Sequence, residues 1–273
     1  MKESEIVVDV IYEYNKTRWE SLVGANALFT RPWMDLTPET ARNKVDQKKL
    51  LGNVQDRDVL CLAGGGGQQS AAFSLLGARV TVVDISDGQL QRDRETAAHY
   101  GYTIRTFQGD MRRLDMLEDR SFDLVSQPYS LNFVPDCREV FSEVARVLRI
   151  GGSYWFMAAN PFAAGLGTKN WNGRAYEISE FYSQGTQKTY SDESWVFSAD
   201  SRERESIAGP REYRQLLSTL INGLVKHGFV ICHLEEETGH DAPDDLTPGG
   251  WDHFCEVLPP WLDFFAKLKP EAF

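Results

Sequence analysis

Val59-Leu60-Cys61-Leu62-Ala63-Gly64-Gly65-Gly66-Gly67-Gln68-Gln69-Ser70 is a short apolar run, four glycines, and the opening of a helical pattern carried on by Ala71, Ala72, Phe73, Leu75 and Leu76. An apolar run of this length, bounded by glycine, reads as a buried strand. Glycines there let the chain turn sharply and let a ligand approach the main chain closely. Four in succession cost chain entropy on folding, which points to a ligand site rather than an idle turn.

Outward from this loop, short apolar runs alternate with amphipathic stretches, the mark of βαβ units and a parallel sheet. The runs are 58–64, 78–86, 103–110, 122–129 and 151–161. Asp84 ends the second run, where a carboxylate can accept both hydroxyls of a ribose. Asp110 follows the third, in Gln108-Gly109-Asp110-Met111, where a carboxylate and the next amide can read an adenine edge. A lone acid after a strand is usually a helix cap. Two at successive strand ends after a glycine loop point to a nucleotide. Ser86-Asp87-Gly88-Gln89 predicts a capping box opening the next helix.

The flanks differ in texture. Ile6, Val7, Val10, Ile11 and Tyr14 recur at helical spacing after Ser4, a candidate N-cap. Val140, Phe141, Val144, Val147 and Leu148 predict a helix that stops at Gly151-Gly152. Tyr213, Leu216, Leu217, Leu220, Ile221, Leu224 and Val225 predict another, ended by Gly228. The runs 229–236 and 260–268 then predict a terminal antiparallel hairpin, with Trp251-Asp252-His253-Phe254 on the loop between them.

The chain has 273 residues, of which 42% are hydrophobic and 25% charged, so wholesale disorder is excluded. A net charge of −11 disfavours phosphate backbones and anionic lipid. Nucleic acid is therefore not expected as a partner. No apolar run approaches a membrane span, and no signal-peptide pattern opens the chain. Cys61, Cys137, Cys232 and Cys255 stand singly, without zinc spacing or a disulfide framework. A cytoplasmic location is the expectation. His233, Glu235, Glu236, Glu237, His240 and Asp241 cluster in sequence without metal-ligand spacing, so no metal is expected.

Residues 56–160 resemble the class I S-adenosylmethionine-dependent methyltransferases, especially the small-molecule branch that includes quinone-biosynthesis enzymes. The likeness is carried by Val59 to Gly67, Val82-Val83-Asp84-Ile85-Ser86, Gly109-Asp110-Met111, 122–131 and 145–152. It departs at Cys61, where the family carries an acid, at Ala63-Gly64 and at Ile150. The resemblance implies an α/β fold with a Rossmann-like methyltransferase sheet, mostly parallel, ending in an antiparallel hairpin. It implies S-adenosyl-L-methionine as cofactor, S-adenosyl-L-homocysteine as product, and Ala63, Gly64, Gly65, Gly67, Asp84, Ile85, Ser86, Asp110, Met111 and Gln127 as its binding residues. The expected divisions are an N-terminal helical lid (1–55), the cofactor-binding core (56–160), an insertion (161–209), and a C-terminal helix and hairpin (210–273).

In that branch the acceptor packs under the lid and the insertion. Six of seven tryptophans lie outside the core, at 19, 33, 171, 195, 251 and 261, and rigid aromatics suit a small-molecule pocket. Tyr14, Arg18, Trp19, Arg31, Trp33, Tyr129 and His253 are the candidate acceptor contacts. A sulfonium already carries a good leaving group, so positioning can supply most of the acceleration. Where a base is needed, His253, His240 and Tyr129 are the candidates. Three rival readings remain: an NAD-dependent oxidoreductase, an amino-methyltransferase of nucleic acid or protein, and a non-catalytic adenosylmethionine-binding protein. Ser70 at the third glycine position weighs against the first, and Gln127 in Ser126-Gln127-Pro128-Tyr129 against the second.

Overall fold

A computed structural model describes residues 9–190, 207–239 and 246–269. Seven strands form one sheet: β1 (Asp58–Leu62), β2 (Arg79–Asp84), β3 (Arg105–Gln108), β4 (Phe122–Gln127), β5 (Leu148–Ala159), β8 (Phe229–Glu237) and β9 (Trp261–Leu268). Their order is β3-β2-β1-β4-β5-β9-β8. The first five are parallel, and β9 runs antiparallel to both β5 and β8. The order reverses at β1, so the carboxyl ends of β1 and β4 flank the crevice where such sheets take ligands.

The short strands β6 (Gln187–Lys188) and β7 (Glu212–Tyr213) form a separate pair. The helices are α1 (Val10–Gly24), α2 (Pro38–Val45), α3 (Gln69–Leu75), α4 (Asp87–Tyr100), α5 (Cys137–Val147), α6 (Leu217–Lys226) and α7 (Trp251–Val257). One face of the sheet buries Leu60, Val125, Tyr154, Phe156 and Phe264 against Phe141 and Val144 of α5 and Leu220 and Leu224 of α6. The other buries Val59, Cys61 and Val82 against Phe73 of α3 and Leu90 of α4, joined by Ala41, Val45, Leu51 and Val54. Ala41, Val45, Leu51 and Val54 thus place residues 38–54 in the core.

Several local expectations are corrected. Among the described residues α1 begins at Val10, capped by the Asp9 carboxylate, which accepts from the amides of Ile11 and Tyr12. Ser4, Ile6 and Val7 lie outside the described residues. The α5 helix runs straight into β5 at Leu148, and Gly151-Gly152 form a bulge where pairing jumps from Phe122–Leu148 to Leu124–Ser153. Tyr213 belongs to β7 because it pairs with Gln187; α6 starts only after Leu216. Trp251–Val257 is helix, so β8 and β9 pair as predicted but are not joined by a simple loop.

Candidate active site

The glycine loop is held by two buried carboxylates. Asp84 Oδ2 accepts from the Gly65 amide at 3.1 Å, and its Oδ1 accepts from the Ser86 amide at 2.9 Å. Asp93, on α4, accepts from the Gly66 amide at 3.2 Å, the Gly67 amide at 2.9 Å and the Ser70 hydroxyl at 2.5 Å. Burial pushes the Asp84 carboxyl up to about 6 and the Asp93 carboxyl up to about 7. A Cβ on Gly65 would lie 2.8 Å from Asp84 Oδ2 and from Gln89 Cβ, so only glycine fits there.

Two cavities open at this loop. The smaller, about 40 Å³, is lined by Asp84, Ile85, Asp110, Met111, Trp19 and Phe133, among others. Trp19 of α1 closes it, set edge-on against Phe29 and Phe133 at centroid distances of 5.6 and 5.8 Å. The Asp110 carboxylate is clamped by Arg112, which also pairs with Asp9 beside α1. The larger cavity, about 1580 Å³, runs from Ala63, Gly64 and Gly65 past Pro128 and Tyr129 to Phe181, Trp251 and Trp261. Ala63 and Gln89 line both. Gln89 Oε1 and Gln69 Oε1, at the loop, are buried without hydrogen-bond partners. Gln89 therefore does not complete the expected capping box: Ser86 Oγ accepts from its amide, but its side chain turns to the cavities.

Residues 60–156 match a family described as a methyltransferase domain. An uncharacterized methyltransferase of Bacillus subtilis, YbaJ, is 45% identical over 94 residues, 34% of this chain and 37% of that protein. A ubiquinone biosynthesis O-methyltransferase of Saccharophagus degradans is 26% identical over 55% of this chain and 60% of its own. The matches thus span less than two thirds of either relative. Among solved structures, an S-adenosylmethionine-dependent methyltransferase of Mesorhizobium loti superposes with a TM-score of 0.62 at 24% identity, covering 84% of this chain and 99% of that one. Geranyl diphosphate C-methyltransferase of Streptomyces coelicolor superposes with a TM-score of 0.53 at 15% identity over 85% and 78%. At these identities the likeness establishes the Rossmann-like fold.

The predicted site residues divide around the two cavities. Ala63, Gly64 and Gly65 line the larger, and Ala63, Asp84, Ile85, Asp110 and Met111 the smaller. Ser86, Gly67 and Gln127 line neither. Ser86 caps α4. Gly67, at φ +73°, is kept free of a side chain by Thr96 and Pro32 rather than by a cavity. Gln127 is buried, donating to Ser130 Oγ at 3.0 Å and accepting from the Tyr154 hydroxyl.

Of the acceptor candidates, Arg18 and Tyr129 line the larger cavity and Trp19 the smaller. Tyr14 donates to the Gly209 carbonyl, Arg31 to that of Asn26, and Trp33 packs on the core; none of these lines a cavity. His253 sits on α7, where its Nδ1 meets the Tyr176 hydroxyl at 2.9 Å and its ring stands edge-on to Trp171, also off the cavity lining. His240 lies outside the described residues. The Tyr129 phenol donates to Glu212 at 2.7 Å, and burial raises it well above its usual range, so it is a donor rather than a base.

Sequence reasoning missed Asp93, Gln89 and Glu212. Asp93 interrupts the apolar stripe Leu90–Ala97 on α4, a signal present in the sequence but ordinarily read as a solvated acid. Glu212 joins Tyr129 and Tyr190 through contacts 83 and 22 residues apart, which no local pattern announces.

Proposed function

We propose that this chain transfers a methyl group from S-adenosylmethionine to a small-molecule acceptor with a large apolar part. The observation that carries the reading is the meeting of two unlike cavities at Ala63 and Gln89, on the glycine loop. The smaller, which at about 40 Å³ must widen at Trp19 to take a nucleoside, presents a carboxylate at a strand end for the ribose and apolar walls at Ile85 and Met111 for the base. The unpartnered acceptors Gln69 Oε1 and Gln89 Oε1 suit the donors of the cofactor's amino-acid end and ribose.

The sulfonium, when bound, supplies an electrophilic methyl and a neutral thioether leaving group. The chain's part is positioning. Asp84 accepts hydroxyl protons, Gly65 leaves room beside it, and Pro128 and Tyr129 wall the passage to the acceptor chamber. Orientation of this kind is worth effective molarities of about 10⁵–10⁸ M. Tyr129, its one hydroxyl proton donated to Glu212, fixes the passage wall.

The chamber's size and its Phe29, Met157, Leu166, Phe181, Trp251 and Trp261 favour an apolar acceptor, with Lys169 among the cations that line it and Lys188 paired with Glu180. Relatives named for ubiquinone biosynthesis and geranyl diphosphate support the same class. Titration calorimetry with S-adenosylhomocysteine and with NAD tests the cofactor: binding of the first and not the second is expected, and the reverse overturns the reading. Radiolabelled methyl incorporation into prenylated phenols, but not into short polar amines, tests the acceptor.

A further inference from the structure

Three consecutive loop amides point at carboxylates: Gly65 at Asp84, and Gly66 and Gly67 at Asp93. The two acids are not equivalent. Asp84 lines the nucleoside cavity, whereas Asp93 lines neither cavity, is fully buried, and spends its oxygens on the loop and on Ser70 at the start of α3. A four-glycine loop has no side chains to fix it and a large ensemble to lose. Left without acceptors, its buried amides would carry the desolvation penalty of unmade hydrogen bonds. The end of β1 beneath the loop offers no carboxylate: Asp58 lies at the strand's other end, on Arg79 and Arg149, and Cys61 stands near the loop, its thiol kept protonated by burial and by the nearby charge of Asp93.

We propose that Asp93 is the positioning residue that sets the glycine loop to receive the cofactor, supplying from α4 the acceptors that this end of β1 lacks. It ties three elements to one carboxylate: α4 that carries it, the loop through two amides, and α3 through Ser70. Asp84 is thereby freed to face the ligand with one oxygen on Gly65 and one on Ser86. The inference rests on the cofactor reading given above, and goes beyond it in naming how the loop is shaped.

The test uses the full chain, S-adenosylhomocysteine as probe, and amide exchange of residues 64–70. Asp93→Asn keeps the shape but turns a carboxamide NH2, itself a donor, toward the loop's donors. It is expected to weaken binding about tenfold or more and to speed loop exchange in the free protein while the sheet strands keep their protection. Adding Cys61→Asp to Asp93→Asn returns a carboxylate to the same buried neighbourhood from β1. That double variant is expected to recover part of the affinity, which a merely structural role for Asp93 does not predict. Wild-type affinity in Asp93→Asn, or a double variant no tighter than the single one, overturns the proposal. If Asp93→Asn does not fold, Ser70→Ala decides: about threefold weaker binding with faster loop exchange supports the proposal, and no change overturns it. If the wild type itself does not bind the probe, the cofactor reading fails, and loop exchange alone still tells whether Asp93 sets the loop.

Discussion

The loop at the tip of β1 and the segments that cover it are built by different physics. The loop is pinned from below: buried carboxylates take its amides, and the strand beneath it sits between two continuous apolar faces that include Leu60, Leu62, Val59 and Cys61. The cover has small cores of its own. Among the described residues, the buried apolar cluster around α1 is Leu22 and Ala27, and that around α7 is Ala163, Phe254 and Cys255. Polar bonds hold it as well, such as Asn15 to the Phe133 carbonyl, Arg18 to the Ala208 carbonyl, and Arg92 of α4 to Val23, Asn26 and Thr30. A site that must hold a cofactor rigidly and still admit two ligands needs both constructions, and segments that open come from the less stable end of a fold.

The sharpest way to break this comparison is at Gly65. Gly65→Val places methyls on Asp84 and Gln89, and should lower affinity for S-adenosylhomocysteine by about a hundredfold or more, with helicity retained by circular dichroism. Normal binding would make the loop a structural turn. Next comes Asp84→Ala, which removes a charged acceptor and should weaken binding about ten- to a hundredfold by calorimetry.

The raised Asp84 carboxyl adds a pH signature. A ligand whose hydroxyls donate to Asp84 prefers the ionised form, so binding releases a proton when the free carboxyl is protonated. Affinity should then fall as pH drops through about 6, by up to about tenfold per unit, and level off above it. Calorimetry across pH 5 to 8 in wild type and Asp84→Asn checks this; an equal slope in the variant assigns the titration elsewhere.

The cover predicts smaller effects that separate its parts. Trp19→Ala, at the nucleoside cavity, should weaken cofactor binding about three- to tenfold. Trp33→Ala should leave binding unchanged and lower only the melting temperature, because Trp33 packs on the core beneath the Lys44 ammonium. Equal effects of the two would mean that the N-terminal segment acts as one unit.

The sheet was legible because its strands are local: β1, β2 and β4 are nearly unbroken apolar runs, and glycine punctuates them. Asp84 was legible because a strand end after such a loop is a position with a chemistry. The cover was less so. Trp33 and Trp19 look alike in sequence, yet one packs on a core face and the other closes a cavity, a difference set by where 38–54 docks. Tyr213 fell on the helical period of Leu216, Leu217 and Leu220 by coincidence, and its pairing with Gln187 decided otherwise. His253 drew attention as a loop histidine, but its helix turns it toward Tyr176 and Trp171. Asp93 was visible as an acid on the apolar stripe of α4, but its role needed the tertiary structure, since its partners lie 23 to 27 residues away.

A crystal structure with S-adenosylhomocysteine tests the central claim most directly. The account predicts adenosine enclosed beneath Trp19 with its ribose on Asp84, the thioether at the meeting of the two cavities beside Ala63 and Gln89, and the larger chamber still open past Tyr129. Density for the ligand in the chamber alone, with the cavity around Asp84 and Asp110 closed and empty, would contradict it.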